Sequence, residues 1–272
     1  MKLKELYTAV RDILKSASDS PGSEALFLLS EVMVKTRERL LMDFEDEVEQ
    51  RQVETALFLA RKRAEGYPLQ YITKKCHFYN LELHICEGVF IPRIETEVLV
   101  DLAIETIHEN DIKTVADIGT GTGCIAIAIA LNTHSEVYAT DVNEKALEIA
   151  KKNAKKYGVD ITLLKGPYLE PLIPFLDKIE LIVSNPPYVS TKAELPADVR
   201  KEPSEALFAG EDGLEFFRNF FSDVSLLKDK TIIMEFSPEQ KDSIEKLCNA
   251  FGKITFFNDQ FNKTRFFKLA VE

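Results

Sequence analysis

The residues of this chain best placed to do chemistry are Ser184-Asn185-Pro186-Pro187-Tyr188, which follow the apolar run Leu181-Ile182-Val183. Consecutive prolines donate no ladder hydrogen bonds, so a strand must stop there. Proline also disfavours the helical region for the residue before it, which pushes Asn185 and Pro186 towards extended backbone. The product is a stiff rim at the C-terminal end of a strand, with the Asn185 amide and the carbonyls of Asn185 and Pro186 held in fixed directions. A planar amino group with two N–H bonds needs two acceptors, and such a rim supplies them without reorganising. A bare Pro-Pro pair also suits a plain turn after a buried strand, so the rest of the chain decides between the two.

A second cluster is Asp117-Ile118-Gly119-Thr120-Gly121-Thr122-Gly123, set between an apolar strand and an apolar helix. Glycines there let the backbone approach a ligand closely and open the helix N-terminus. Asp141 closes the next strand, where a carboxylate can accept from two ribose hydroxyls. Gly121-x-Gly123-x-x-Ala126 with Asp141 further on also satisfies the dinucleotide fingerprint, so the loop alone leaves nicotinamide and flavin cofactors open. Three features favour S-adenosylmethionine. Asp117, just before the glycines, suits a cationic methionine ammonium and repels a pyrophosphate. The asparagine rim closes a later strand at the same sheet end, where open α/β sheets bind ligands. No acid or base for hydride transfer stands nearby. Tyr168 suits either an adenine stack or the core.

These residues need a frame. Residues 1–66 read as helical, with Leu3, Leu6, Val10, Ile13 and Leu14 on one face, then Ala25 to Met33, then Val48 to Ala60. Asp19-Ser20-Pro21 is a helix start, and Gly66-Tyr67-Pro68 is a stop. From Phe78 to Phe90 the period changes to two, suggesting a hairpin that links two parts. A helical pattern then runs to Ile107. After it come strand Val115–Ile118, helix Cys124–Asn132, strand Val137–Asp141, a helix from the Asn143 cap to Gly158, and strands Ile161–Leu164 and Leu181–Ser184. This alternation predicts a mostly parallel, doubly wound sheet. Strand Thr231–Glu235, a helix after Pro238, and strands Ile254–Phe257 and Arg265–Leu269 follow. The last two lie too close in sequence for a helical crossover, so they form an antiparallel hairpin. The domain expectation is a helical part at 1–75, a hairpin linker at 76–90 and a catalytic part at 91–272.

Composition narrows the function. The chain has 272 residues, 45% hydrophobic and 29% charged, with a net charge of −11. Residues 1–75 hold 13 basic and 13 acidic residues, so the whole negative charge falls on the remainder. An acidic catalytic part is a poor platform for a nucleic-acid backbone, so nucleic-acid contact is expected to be weak or indirect. The longest apolar run, Cys124 to Leu131, is too short to span a bilayer. Cys76, Cys86, Cys124 and Cys248 form no C-x-x-C pair and no zinc spacing with histidine. Free thiols, no metal and a cytoplasmic location are therefore expected. His77 reads as a partly buried hairpin residue.

Together these segments resemble the release factor glutamine N5-methyltransferases over nearly the whole chain. The likeness includes Pro68-Leu69-Gln70-Tyr71-Ile72, Ile91-Pro92-Arg93 to Glu97, the glycine loop with Asp141, and Asn185-Pro186-Pro187-Tyr188. It continues through Glu202-Pro203 to Ala206-Leu207, Gly210-Glu211-Asp212-Gly213-Leu214, and Asp259 to Arg265. The Asn-Pro-Pro-Tyr tetrapeptide is shared with enzymes that methylate adenine or cytosine amino groups, which is the alternative function. The surrounding segments and the helical N-terminal part point to glutamine. Ile94, Lys74-Lys75, Pro167, Phe236-Ser237 and Asn262 depart from the usual pattern, and none touches the tetrapeptide.

The resemblance implies a class I, S-adenosylmethionine-dependent methyltransferase. Its fold is a Rossmann-like, mostly parallel seven-stranded sheet with an antiparallel C-terminal hairpin, preceded by a small helical domain that recognises substrate. It implies a monomer that methylates the side-chain amide of the Gly-Gly-Gln glutamine of peptide chain release factors and leaves S-adenosylhomocysteine. Asp117, Gly119, Thr120, Gly121, Thr122, Gly123, Asp141, Tyr168 and Asn185 would bind the cofactor. Asn185 would also be the catalytic residue and grip the glutamine amide, with Pro186, Pro187 and Tyr188 forming its slot. A dinucleotide oxidoreductase and a non-catalytic binding module fit these features less well.

Overall fold

Apolar residues recurring on one side of each N-terminal segment give α1 (Leu3–Leu14), α2 (Pro21–Met33), α3 (Arg37–Met42), α4 (Gln50–Ala64) and the short α5 (Leu69–Thr73) in the computed structural model, which describes residues 1–272. Leu6, Val10 and Leu14 of α1 pack with Leu28 and Leu29 of α2 and with Ala56 and Ala60 of α4 in one core. Pro21 opens α2 as expected, but the Ser20 hydroxyl makes no cap. Ser20 has ψ 57, outside the extended region from which a cap side chain reaches the first turn.

By internal contacts the chain divides into two units, Met1–Lys75 with Leu195–Lys201, and Cys76–Glu194 with Glu202–Glu272. No local pattern announces that Leu195–Lys201 joins the helices; a buried arginine supplies one reason. Arg63 donates to Glu24 at 2.9 Å and lies 3.6 Å from Asp198, with its side chain 9% exposed. Lys62 lies over the Tyr67 ring at 3.7 Å, and Lys75 pairs with Glu31 at 2.9 Å. Arg63, Lys62 and Lys75 are thus engaged within their own unit.

The strands β1 (Lys75–Phe78) and β2 (Leu81–His84) follow. Tyr79 and Asn80 between them both have positive φ, the backbone of a tight two-residue hairpin turn. The hairpin stops at His84, shorter than the alternation to Phe90 suggested, and His77 is on its exposed face. Next come α6 (Glu97–Asn110), β3 (Thr114–Ile118), α7 (Cys124–Asn132), β4 (Glu136–Asp141), α8 (Glu144–Tyr157), β5 (Thr162–Lys165) and β6 (Leu181–Ser184). Then follow α9 (Glu215–Phe220), β7 (Thr231–Glu235), α10 (Lys241–Cys248), β8 (Gly252–Asn258) and β9 (Thr264–Val271). Asn143 caps α8 by accepting from the Lys145 and Ala146 N–H groups, and Gly158 closes it at φ +68.

The seven-stranded sheet has the order β5-β4-β3-β6-β7-β9-β8. Strands β3 to β7 run parallel, while β9 is antiparallel to both β7 and β8. Fully buried Phe217, Phe236 and Phe267 fill one side with Ile182, Ile232 and Leu269, each burial contributing roughly 1.5–3 kcal/mol. From β5 at one edge the chain returns to β6 on the far side of β3, so the order reverses between β3 and β6. The Ser184 hydroxyl donates to the Ile118 carbonyl at 2.7 Å, fastening these two strand ends where open α/β sheets place their sites. No helix is long and apolar enough to cross a membrane. No group of three or more His, Cys, Asp or Glu side chains is placed to hold a metal ion, and all four cysteines are free thiols.

Candidate active site

Beyond β3 the chain turns back on β4, with Gly119 and Thr120 both donating to the Thr140 carbonyl at 2.9 Å. Gly119, Gly121 and Gly123 have φ values of +72, +56 and +81. The three do different work. A Cβ on Gly119 or Gly121 would meet no atom within 4 Å, and both residues line a cavity of about 360 Å³. A Cβ on Gly123 would lie 3.1 Å from the Ala150 Cβ, so this glycine lets α7 seat against α8. The first two keep the cavity open to close backbone approach by a ligand.

Asp141 stands at the cavity wall. Its Oδ2 accepts from the Gly121 N–H at 2.8 Å and its Oδ1 from the Asn143 N–H at 2.9 Å. Each oxygen keeps a lone pair for a further donor. Burial raises this carboxyl above its ordinary value, against the two N–H bonds. Asp117 is placed differently from the sequence expectation. It does not line the cavity and is wholly buried beneath the loop, where its Oδ2 accepts from the Thr120 hydroxyl at 2.6 Å. Through this bond Asp117 supports the loop from below. Burial pushes the Asp117 carboxyl up to about 7, opposed by the Thr120 hydrogen bond.

Three buried polar side-chain atoms have no hydrogen-bond partner, Asp117 Oδ1, Thr122 Oγ1 and Thr140 Oγ1. Thr122 and Thr140 both line the cavity. Unsatisfied buried hydroxyls at a wall made of open glycine backbone and a carboxylate fit a polar, hydroxyl-bearing ligand. Tyr168 stands at φ +47, its ring centroid 5.1 Å from that of Phe216. Both rings line the cavity. Phe216, like Thr140, gave no sign of itself in the sequence.

The rim after β6 is built as a strand end beside the loop. Asn185 and Pro187 reach the cavity, whereas Pro186 is buried and neither it nor Tyr188 lines the space. The Tyr188 hydroxyl donates to Glu235 Oε1 at 2.9 Å. Asn185 Nδ2 donates to Thr96 Oγ1 at 2.9 Å, and Thr96 Oγ1 donates to Glu235 Oε2 at 2.7 Å. Glu235 is 1% exposed; burial pushes its carboxyl up to about 7, against the hydrogen bonds from Thr96 and Tyr188. Burial and the Glu235 charge raise the Tyr188 hydroxyl strongly.

Some of the other segments quoted from the sequence brace this rim. Glu202 accepts from the Ile91 N–H at 2.9 Å and pairs with Arg93. Gln240 Nε2 donates to the carbonyls of Tyr188 and Asp212 at 3.0 and 3.1 Å. Asn153, fully buried in α8, donates to the carbonyls of Thr122 and His84, tying the glycine loop to the β2 edge. Neither Thr96, Asn153 nor Glu235 carries a local sequence signal. Glu235 had one indirect clue, as an ionisable residue closing an apolar strand next to that of Asn185.

The sheet order, the glycine loop and the acceptor rim at one strand edge define a class I methyltransferase, a class that uses S-adenosylmethionine. The methyltransferase small domain family matches residues 81–203, and the PrmC N-terminal domain family matches residues 5–73. Among solved structures, the hMettl16 catalytic domain aligns with a TM-score of 0.57 at 16% identity, covering 82% of both chains, a likeness of fold. The chain is 38% identical to the release factor glutamine methyltransferase of Moorella thermoacetica, covering 91% of this chain and 89% of the relative. It is 37% identical to that of Dictyoglomus turgidum, over 87% of this chain and 86% of the relative. The chain belongs to the release factor glutamine methyltransferase family.

Proposed function

We propose that this protein methylates the side-chain amide nitrogen of the glutamine in the Gly-Gly-Gln motif of peptide chain release factors. The observation that carries the reading is Asn185, whose amide nitrogen is engaged by Thr96, leaving its carbonyl end as the acceptor at the cavity. Loop residues Gly119 to Thr122 and Asp141 would hold the methionine and ribose parts of S-adenosylmethionine, and Tyr168 with Phe216 would flank the adenine. When bound, this cosubstrate supplies an electrophilic methyl group on a sulfonium.

The difficulty lies in the nucleophile. An amide nitrogen is weak because its lone pair is delocalised into the carbonyl. Asn185 Oδ1 would accept one of its N–H bonds, fixing its direction and favouring a nitrogen that gains positive charge as it loses planarity. The methylated nitrogen becomes acidic and releases its surplus proton to solvent, so no general base is required before transfer. The helical unit is proposed to recognise the release factor.

The test is incubation of the protein with a release factor and labelled S-adenosylmethionine, in parallel with DNA and RNA. A mass shift of one methyl group on the Gly-Gly-Gln peptide is expected, with none on nucleic acid; label entering only nucleic acid would replace this reading with the alternative. Asn185→Ala should lower kcat by about 100-fold while leaving S-adenosylhomocysteine affinity nearly unchanged. Near-normal turnover in that variant removes the role of Asn185.

A further inference from the structure

We propose that Thr96 and Glu235 are positioning residues that decide which end of the Asn185 carboxamide faces the substrate, an inference that rests on Asn185 being the acceptor for the glutamine amide. A threonine hydroxyl has one proton, and an ionised carboxylate only accepts. Both Glu235 oxygens are engaged, Oε2 by Thr96 and Oε1 by Tyr188. The Thr96 proton is therefore committed to Glu235, and its oxygen is left to accept from Asn185 Nδ2. Half a turn of the carboxamide would set Asn185 Oδ1 against the Thr96 oxygen, acceptor against acceptor, in a place where Thr96 is 2% exposed. Leaving such a buried group unsatisfied is disfavoured by on the order of 10- to 100-fold. The carbonyl end is thus held outward by proton direction and not by shape, since the two ends of an asparagine amide are nearly the same size.

The fold makes the arrangement possible. Ser184 and Met234 are register partners in the parallel pair β6–β7, so Asn185 and Glu235 are the next residues at neighbouring strand ends. Thr96 arrives from the turn before α6. The titratable groups acting on the Glu235 carboxyl are Arg265 on β9, which favours its charge, Glu95, which opposes it, and the Tyr188 hydroxyl. Arg93 in turn acts on Tyr188. A protonated Glu235 could donate to Thr96, freeing the threonine proton for Asn185 and letting the carboxamide turn its N–H groups outward. An outward amino group repels the N–H groups it is meant to receive.

The experiment has two arms. In the first, methyl transfer to a release factor is measured for the wild type, Thr96→Val, Thr96→Ser and Glu235→Gln. Thr96→Val and Glu235→Gln should lower kcat by about 10- to 100-fold, with KM and S-adenosylhomocysteine affinity little changed. Thr96→Ser, which keeps the hydroxyl, should retain most of the rate. The fall in kcat below neutral pH should flatten in Glu235→Gln. In the second arm, nuclear magnetic resonance of the free wild-type protein at pH 8 should show the Asn185 Nδ2 protons close to the Thr96 methyl group. This arm needs neither substrate nor a variant that folds. Wild-type kcat in Thr96→Val or Glu235→Gln, or Nδ2 protons directed into the cavity of the wild type, overturns the proposal. A wild type that leaves the release factor unmethylated removes the functional reading alone, and the second arm still decides the orientation of Asn185.

Discussion

Substituting alanine at two glycines of one loop should separate ligand binding from folding. At Gly123 the new Cβ would sit 3.1 Å from the Ala150 Cβ and 3.2 Å from both the Ala150 Cα and the Ile127 Cδ1, on a backbone with φ +81. The left-handed backbone costs about 1–2 kcal/mol and the forced separation of α7 from α8 about 1–3 kcal/mol, together roughly 3 kcal/mol. At Gly121, φ +56, the Cβ meets nothing, so only the backbone penalty of about 1 kcal/mol applies. Because the chain has no tryptophan, urea unfolding is best followed by far-ultraviolet circular dichroism. With a slope of about 3 kcal/mol per molar, the Gly123→Ala midpoint should fall by roughly 1 M. Gly121→Ala should unfold within about a third of a molar of the wild type, yet lose most of the protection given by S-adenosylhomocysteine. That protection is worth about 2.7 kcal/mol in the wild type at a hundredfold excess over Kd. Full protection of Gly121→Ala, or a wild-type midpoint for Gly123→Ala, would refute the division of roles.

Three further outcomes are expected. Asp141→Ala should weaken S-adenosylhomocysteine binding by about 10- to 100-fold, as charge-assisted hydrogen bonds to a ribose are lost; calorimetry giving an unchanged Kd would contradict its place in the site. Arg63→Leu leaves Glu24 and Asp198 without their partner and should destabilise the helical unit by about 2–3 kcal/mol, checked by thermal unfolding, where an unaltered midpoint counts against it. Asp117 and Glu235 are held near 7, above their ordinary values of 3.8 and 4.5, so the folded state keeps protons that the unfolded chain releases. Stability should therefore fall as pH rises from about 4.5 to 7, by on the order of 3 kcal/mol for each group. Activity, which needs ionised Glu235, should move the opposite way. Denaturant titrations at pH 5.5 and 8 with equal midpoints would show that these two carboxyls are not linked to folding.

Much of the site was legible because its signals are local. Gly123 and the apolar residues after it mark where α7 begins, the Asn143 side chain caps α8, and the two prolines end β6 beside Ser184. The close spacing of the last two strands gave their antiparallel pairing. What escaped the sequence depends on distance. Thr96 reaches Asn185 and Glu235 across separations of 89 and 139 residues, with no periodicity to connect them. The burial of Asp117 is not legible because residue type gives charge but not depth; the turn that makes the glycines open also roofs the carboxylate. The Tyr188 hydroxyl finds a buried carboxylate that only the β6–β7 pairing brings near. Ser20 fails as a cap because its own backbone dihedral angles, not the side chain's chemistry, decide whether the oxygen reaches an N–H.

The position of β9 has a consequence for how the polypeptide is made. The last strand in sequence is not at the border of the sheet but between β7 and β8. Until it emerges during synthesis, β7 presents an open row of main-chain donors and acceptors while β8 has nothing to pair with. Completion of the catalytic unit therefore waits for β9 to be translated, and a polypeptide cut before Thr264 carries an adhesive flank prone to aggregation in place of a finished enzyme.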